Sequence, residues 1–235
     1  MRALRSALFG AWLYGSMLVL AVVFLPAFFG PRGWLMAAAR TWARAALWGL
    51  RVIGGVRVEV RGLERRPPGP VLVAAKHMSM LDTLAPLLFL RDPAFVLKKE
   101  LLRLPVFGWG LARADMIPID RSAHANALRA LVGEARRRLA DGREVVIFPE
   151  GTRAAPGDPP DYKPGVAGLY RDLGVDCLPM ATNSGRCWSA RGLRITPGVV
   201  VFELLDPIPP GLKRGEFMRT LQERIETGTD ALLST

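Results

Sequence analysis

Hydrophobic and polar positions divide the chain into two regions with different periods. Between Ser6 and Pro31 there is no charged residue, and Ala7–Phe29 is dominated by Leu, Val, Phe and Ala. A helix needs about 20 such residues to cross the hydrocarbon core of a bilayer, so this run is long enough for a membrane element. It is long for the apolar part of a signal peptide, and no A-x-A-like cleavage site follows Phe29, so the segment is read as retained. Trp34–Ile53 is patterned differently. On a helix, Arg40, Arg44 and Arg51 fall within about 40° of one another, with Leu35, Ala39, Trp42, Ala46, Leu50 and Ile53 opposite. A basic stripe backed by an apolar stripe containing Trp predicts a helix lying in the headgroup region of a membrane. The same pattern also serves a helix packed on a globular domain. Gly30-Pro31-Arg32-Gly33 breaks the chain between the two segments. Residues 1–54 are therefore expected to form a two-helix membrane-anchoring hairpin, and residues 55–235 a folded domain that removal of the hairpin would release from membranes.

From Val56 onward the period changes. Val56–Val60, Val71–Ala75, Ala94–Leu97, Val145–Phe148, Val175–Met180 and Val199–Leu204 are short apolar runs bounded by turn residues, the pattern of buried strands. Between them, Ser122–Leu139 reads as an amphipathic helix. Leu128, Leu131, Val132, Ala135 and Leu139 line one side, and the Arg residues at 129 and 136–138 lie largely away from it; Asp141-Gly142 ends it. Strands alternating with helices predict an α/β fold with ligands bound at strand ends.

Composition narrows the function classes. The chain has 235 residues, half of them hydrophobic, which suits one α/β domain with a small appendage. Its 32 Lys and Arg against 21 acids give a formal charge of +11, which calls for nucleic acid, an anionic membrane or anionic small molecules as partners. The arginines are scattered among apolar runs without aromatic interleaving or a nucleic-acid motif, which argues against a nucleic-acid-binding module. Cys177 and Cys187 have no metal or redox spacing and are expected to be reduced structural thiols, and two histidines in total exclude a multi-histidine metal centre.

The candidate chemistry begins at Lys76-His77-Met78-Ser79-Met80-Leu81-Asp82, just past the apolar run Val71–Ala75. An imidazole and a carboxylate five positions apart point about 140° apart on one helix. They stand on opposite faces, roughly 17 Å apart, on one strand. They can meet only if His77 sits in a turn and Asp82 in the first turn of a following helix, with Ser79 as its N-cap and Pro86 near its end. The same letters also fit a capping box, in which Asp82 merely accepts a hydrogen bond from the backbone at Ser79. Three other stretches share a layout of strand end, turn and cation: Lys98-Lys99-Glu100, Ile117-Pro118-Ile119-Asp120-Arg121 and Phe148-Pro149-Glu150-Gly151-Thr152-Arg153. In the last, glycine allows close backbone approach and the arginine could hold a phosphate. His124, soon after Ser122, reads as an exposed first-turn residue, and Trp188 as core or interface packing rather than the cap of an acyl tunnel.

Together these stretches resemble the four-block signature of the glycerolipid acyltransferase family, in particular its 1-acylglycerol-3-phosphate acyltransferases. The blocks are His77-x4-Asp82, Ile119-Asp120-Arg121, Phe148–Arg153 and Cys177-Leu178-Pro179-Met180; Lys98–Leu101 and Tyr162-Lys163-Pro164-Gly165 also resemble the family. The resemblance covers roughly Val56 to Leu205. It departs from the family at Lys76, where many members carry Asn, and in the polar run Ala181–Gly185 after the fourth block. The resemblance implies a mixed central sheet flanked by helices and an O-acyltransferase of phospholipid biosynthesis. His77 would take the proton from the acceptor hydroxyl and Asp82 would orient it, as in a serine hydrolase triad, with Ser79 as acylated nucleophile the minor alternative. Lys98, Arg121 and Arg153 would grip the acceptor's phosphate with Gly151 and Thr152, and Glu150 would orient Arg153 or an acceptor hydroxyl. The resemblance further implies lysophosphatidic acid in the membrane as acceptor and acyl-CoA or acyl carrier protein as donor. It implies no metal or other cofactor, and a site on the cytoplasmic face of a bacterial inner membrane. Another lysolipid, such as lyso-ornithine lipid, is the alternative acceptor.

Overall fold

The computed structural model describes residues 2–104, 107–120 and 124–234, without the side chains of 124–127. The chain opens with helix α1 (Arg2–Val23), a short 3-10 turn (Leu25–Phe28) and helix α2 (Arg32–Val52). Strands follow in the order β1 (Val56–Arg61), β2 (Leu72–Ala75), β3 (Pro93–Lys98), β4 (Ile117–Ile119), β5 (Glu144–Ile147), β6 (Cys177–Thr182) and β7 (Gly198–Leu204). Helices α3 (Leu81–Leu84) and α4 (Pro86–Phe89) lie between β2 and β3, and α5 (Phe107–Arg113) between β3 and β4. Helix α6 (His124–Ala140) follows β4, α7 (Gly165–Leu173) precedes β6, α8 (Ser184–Cys187) follows it, and α9 (Arg214–Ser234) closes the chain.

The strands form one seven-stranded sheet in the order β1-β7-β6-β2-β5-β3-β4. Every neighbouring pair is parallel except β6–β7, so the sheet is mixed. β2, β5 and β6 are buried along their whole length, which is why they read as continuous apolar runs rather than alternating ones. Successive side chains of a strand enter opposite layers. Val73 and Ala75 of β2 join the core beneath α1–α4, and Leu72 and Ala74 join the core beneath α6, α7 and α9. β2 is paired with β5 on one side and β6 on the other, so the chain order reverses around it. Such a switch point opens a crevice at the carboxyl ends of the strands, and His77 lies two residues past the end of β2.

The hairpin differs from its sequence reading. Leu35, Ala46 and Leu50 of α2 are buried, and Ala39, Trp42 and Ile53 pack against the same core, so the apolar stripe faces the sheet rather than a bilayer. The sheet's own exposed apolar surface supplies the partner that the sequence could not specify. Arg40 is half-buried and donates to the carbonyl oxygens of Leu87 (3.1 Å) and Arg91, whereas Arg44 and Arg51 stay exposed. Arg32 forms a paired contact with Asp92 at 3.0 and 2.5 Å. Phe9 and Leu13 of α1 are also buried, Phe9 edge-on to Trp188 at 5.2 Å. The Trp12 indole donates to the Ala45 carbonyl at 2.8 Å; a side chain at Gly49 would overlap that ring, so glycine sets this approach. The rest of α1 is bare: Leu4, Leu8, Leu18, Val19 and Val22 are all more than half exposed. Among the described residues α1 is the one helix long and apolar enough to cross a membrane, by length and composition.

Candidate active site

The apolar run of β2 ends at Ala75, and the two residues after it diverge. Lys76 extends the ladder, its N–H donating to the Met180 carbonyl at 2.9 Å, and its side chain turns toward α9. His77 turns to the opposite side and stacks on Phe148, the residue after β5, with ring centroids 3.9 Å apart and planes inclined by 18°. Phe148 in turn lies 6.3 Å from Phe95 of β3.

His77 and Asp82 meet. Nδ1 of the imidazole lies 3.1 Å from Oδ2 of Asp82, a residue in the first turn of α3, as the turn-then-helix arrangement requires. The same Oδ2 accepts the N–H groups of Met78 (2.6 Å) and Ser79 (2.7 Å). Asp82 thus does both things its position permits: it closes the turn as a capping acid and it orients the imidazole. Its carboxylate is fully buried, whereas the His77 side chain keeps 12% exposure and remains reachable. Ser79 accepts the Leu81 N–H on its hydroxyl at 3.1 Å and shares a 3.0 Å bond with the Ser184 hydroxyl. Its Oγ is completely buried and engaged in holding the turn. α3 itself is short, because Pro86 starts α4 one residue after Ala85.

The Phe148–Arg153 stretch forms the turn after β5 and lies against this pair. Gly151 has φ +66°, the left-handed region that glycine adopts without strain. Ala154 N–H donates to the His77 carbonyl at 2.9 Å, which ties the turn to the histidine backbone. Arg153 is half-buried, with Nη1 3.4 Å from the Ala190 carbonyl oxygen, and Thr152 is exposed. Glu150 does not orient Arg153. It is buried, and its Oε1 lies 3.1 Å from the ammonium of Lys76. The cause is the buried cation next to it: an ammonium at 2% exposure needs carboxylates. Lys76 takes a second from Glu226 of α9, at 2.8 and 2.9 Å, and the Tyr162 hydroxyl donates to Glu226 at 2.8 Å. Burial works against the Lys76 ammonium, but Glu226 and Glu150 more than offset it and hold its pKa above the ordinary lysine value. Burial pushes the Glu150 carboxyl up, with Lys76 opposing. Glu226 went unnoticed in the sequence, although a lysine directly after a buried strand was itself a signal that a carboxylate must come from elsewhere.

Lys98 is exposed at the end of β3, paired in register with Ile119 of β4. Arg121 lies outside the described residues, as do Ser122 and the side chain of His124. Trp188 is core, at 1% exposure, and both cysteines are buried free thiols. A cavity of about 760 Å³ lies on the Lys76 side of the strand end, between residues 155–160 and α9, and His77 is not among its walls.

An acyltransferase family model matches residues 57–183. The chain is 36% identical over 205 residues to a 1-acyl-sn-glycerol-3-phosphate acyltransferase of Pseudomonas aeruginosa, covering 85% of this chain and 78% of that one. It is 39% identical over 123 residues to a lyso-ornithine lipid O-acyltransferase of Rhizobium meliloti, covering 52% of this chain and 38% of the relative. The fold is shared with the crystal structure of the 1-acyl-sn-glycerophosphate acyltransferase PlsC of Thermotoga maritima, with a TM-score of 0.80 over 99% of both chains at 22% identity. The chain therefore belongs to the acyltransferase family, and over most of its length it is similar to a member named 1-acyl-sn-glycerol-3-phosphate acyltransferase.

Proposed function

We propose that this chain transfers an acyl group from a thioester, acyl-CoA or acyl carrier protein, to the sn-2 hydroxyl of 1-acylglycerol-3-phosphate, giving phosphatidic acid. The observation that carries the chemistry is the His77–Asp82 contact of 3.1 Å beside a turn bearing Arg153. With Nδ1 held by Asp82, Nε2 is the nitrogen that takes the proton of the acceptor hydroxyl as its oxygen attacks the thioester carbonyl. The tetrahedral intermediate collapses with loss of the thiolate, and the imidazolium returns the proton to sulfur. Buried Asp82 offsets the imidazolium charge while it lasts. The acceptor brings its own hydroxyl, so no enzyme nucleophile is required.

Lys98, Arg153 and the Gly151–Thr152 backbone grip the acceptor's phosphate, together with Arg121 of the second block. The acceptor is an amphiphile held in a bilayer, and the bare face of α1 suits a protein that works there. Phe29 (86% exposed) and Trp34 at the hairpin tip, and Trp109 of α5, are further exposed large apolar side chains. The Arg113 guanidinium, 2.7 Å from the Gly30 carbonyl oxygen, joins α5 to that tip. The formal charge of +11 favours anionic headgroups and either anionic donor, and the site faces the cytoplasm, where both donors occur.

The similarity to a lyso-ornithine lipid O-acyltransferase supports a second reading, in which the acceptor lacks a glycerol phosphate. Initial rates with one labelled acyl-CoA against lysophosphatidic acid and lyso-ornithine lipid in mixed micelles separate the two. A preference for lysophosphatidic acid that Arg153→Ala abolishes supports the first reading. Equal or better turnover of lyso-ornithine lipid overturns it.

A further inference from the structure

Lys76 is buried, and its burial has no counterpart in the proton transfer. Its ammonium joins three parts of the chain that are remote in sequence: the histidine turn, through its own backbone; the Phe148–Arg153 turn, through Glu150 at 3.1 Å; and α9, through Glu226 at 2.8 Å. Tyr162, just before α7, adds a hydrogen bond to the same Glu226 carboxylate. Glu226 follows Ile225, whose side chain is fully buried, so α9 is fixed against the sheet at the level of the clamp.

We infer that Lys76 and Glu226 are positioning residues that hold Glu150, and with it the phosphate-gripping turn Gly151–Arg153, in register with His77. Lys76 immediately precedes the base and Glu150 immediately precedes the grip, so this ion pair spans the gap between the reacting group and the acceptor's anchor. The Ala154–His77 backbone bond ties the far end of the turn at 2.9 Å, and Lys163 N–H donates to the Pro149 carbonyl at 2.8 Å. Between those two ties Gly151 N–H donates to the Phe148 carbonyl at 2.9 Å, Arg153 Nη1 lies 3.4 Å from the Ala190 carbonyl oxygen, and Glu150 anchors the inner end of the segment through its ion pair. Among the described residues Lys76 is the cation within ion-pair distance of Glu150. Without it, a buried carboxylate must either take up a proton in place or move toward water, and the movement displaces Gly151. The role of α9 is to keep the ammonium from leaving: Glu226 offers it both oxygens, at 2.8 and 2.9 Å.

This inference rests on the reading that the Gly151–Arg153 turn binds the acceptor's phosphate, and its test is chosen to fail separately. Full-length Lys76→Met and Glu226→Gln proteins are assayed in lysophosphatidic acid micelles, varying acceptor and acyl-CoA independently, with thermal unfolding recorded on the same samples. Lys76→Met is expected to raise the acceptor KM at least about tenfold while leaving the donor KM within about twofold. Glu226→Gln, which keeps the shape and one acceptor oxygen but removes the charge and one of the two bonds to the ammonium, should raise the acceptor KM by about threefold. If Lys76→Met does not fold, Glu226→Gln alone carries the test. A purely structural clamp would lower the melting temperature and the active fraction but leave both KM values unchanged, and that result overturns the inference. If Arg153→Ala raises the acceptor KM and neither clamp variant does, the phosphate reading survives and the clamp falls. An acceptor KM unchanged even by Arg153→Ala removes the reading beneath it.

Discussion

Asp82→Asn separates the two roles that one carboxylate combines. Oδ2 accepts the Met78 and Ser79 amides at 2.6 and 2.7 Å and faces His77 Nδ1 at 3.1 Å, while Oδ1 is buried without a hydrogen-bond partner among the described residues. Asparagine has the same volume and can keep an oxygen on the two amides. The fold then loses only the charge-assisted part of those bonds, about 1 kcal/mol each or about 2 kcal/mol in all. For a chain of this size that lowers the melting temperature by about 4–8 °C. The reaction loses more. An imidazolium formed beside a neutral amide lacks its compensating charge. In a serine protease triad the equivalent change costs about 10⁴ in kcat, or about 5.5 kcal/mol of barrier. The assay is thiol release from acyl-CoA under saturating acceptor, run well below the melting temperature of the variant. A folded Asp82→Asn protein that keeps kcat within about tenfold would show that Asp82 only caps the turn.

Ser79→Ala removes the bond to the Leu81 N–H and should cost about 1 kcal/mol of stability; kcat should stay within about threefold, and a collapse of turnover in folded protein would restore serine as a nucleophile. Removal of residues 1–54 is expected to give an aggregating fragment rather than a released domain, because Phe9, Leu13 and Leu50 are core residues worth about 5–9 kcal/mol together; a monodisperse, cooperatively melting 55–235 fragment would contradict this. Burial disfavours the Asp92 carboxylate, but Arg32, Arg143 and Arg40 outweigh it and hold its pKa below the usual carboxylate value. Its contribution is therefore complete above about pH 4 and fades as pH falls through the lowered pKa. The urea stability gap between wild type and Asp92→Asn should close on going from pH 7 to acid, and a gap independent of pH would refute the assignment.

Strands were legible wherever burial on both faces left an unbroken apolar run, as in Val71–Ala75 and Val145–Phe148. The His77–Asp82 pair was legible because a spacing of five permits contact in just one local geometry, a turn running into a helix. Other features depended on partners that no local pattern carries. The amphipathic stripe of α2 is the same whether it meets lipid or a sheet, and the apolar core over β1 and the rest of that sheet face decided it. Glu150 sat beside Arg153 in sequence but across from Lys76 in space, since the buried ammonium outbids a half-buried guanidinium for a buried carboxylate. Glu226 comes from α9, about 150 residues from Lys76, and only the sheet order brings the two together. The β4 strand was only partly foreseen because Pro118 interrupts a three-residue edge.

The proton-transfer role of His77 is tested most directly by single-turnover acyl transfer in His77→Gln, with thermal unfolding measured on the same sample. Glutamine can keep a hydrogen bond to Asp82 but cannot accept the acceptor's proton at neutral pH. Turnover should fall at least about a thousandfold with the fold intact. A folded His77→Gln protein that still acylates lysophosphatidic acid within about tenfold of the wild-type rate would contradict the account.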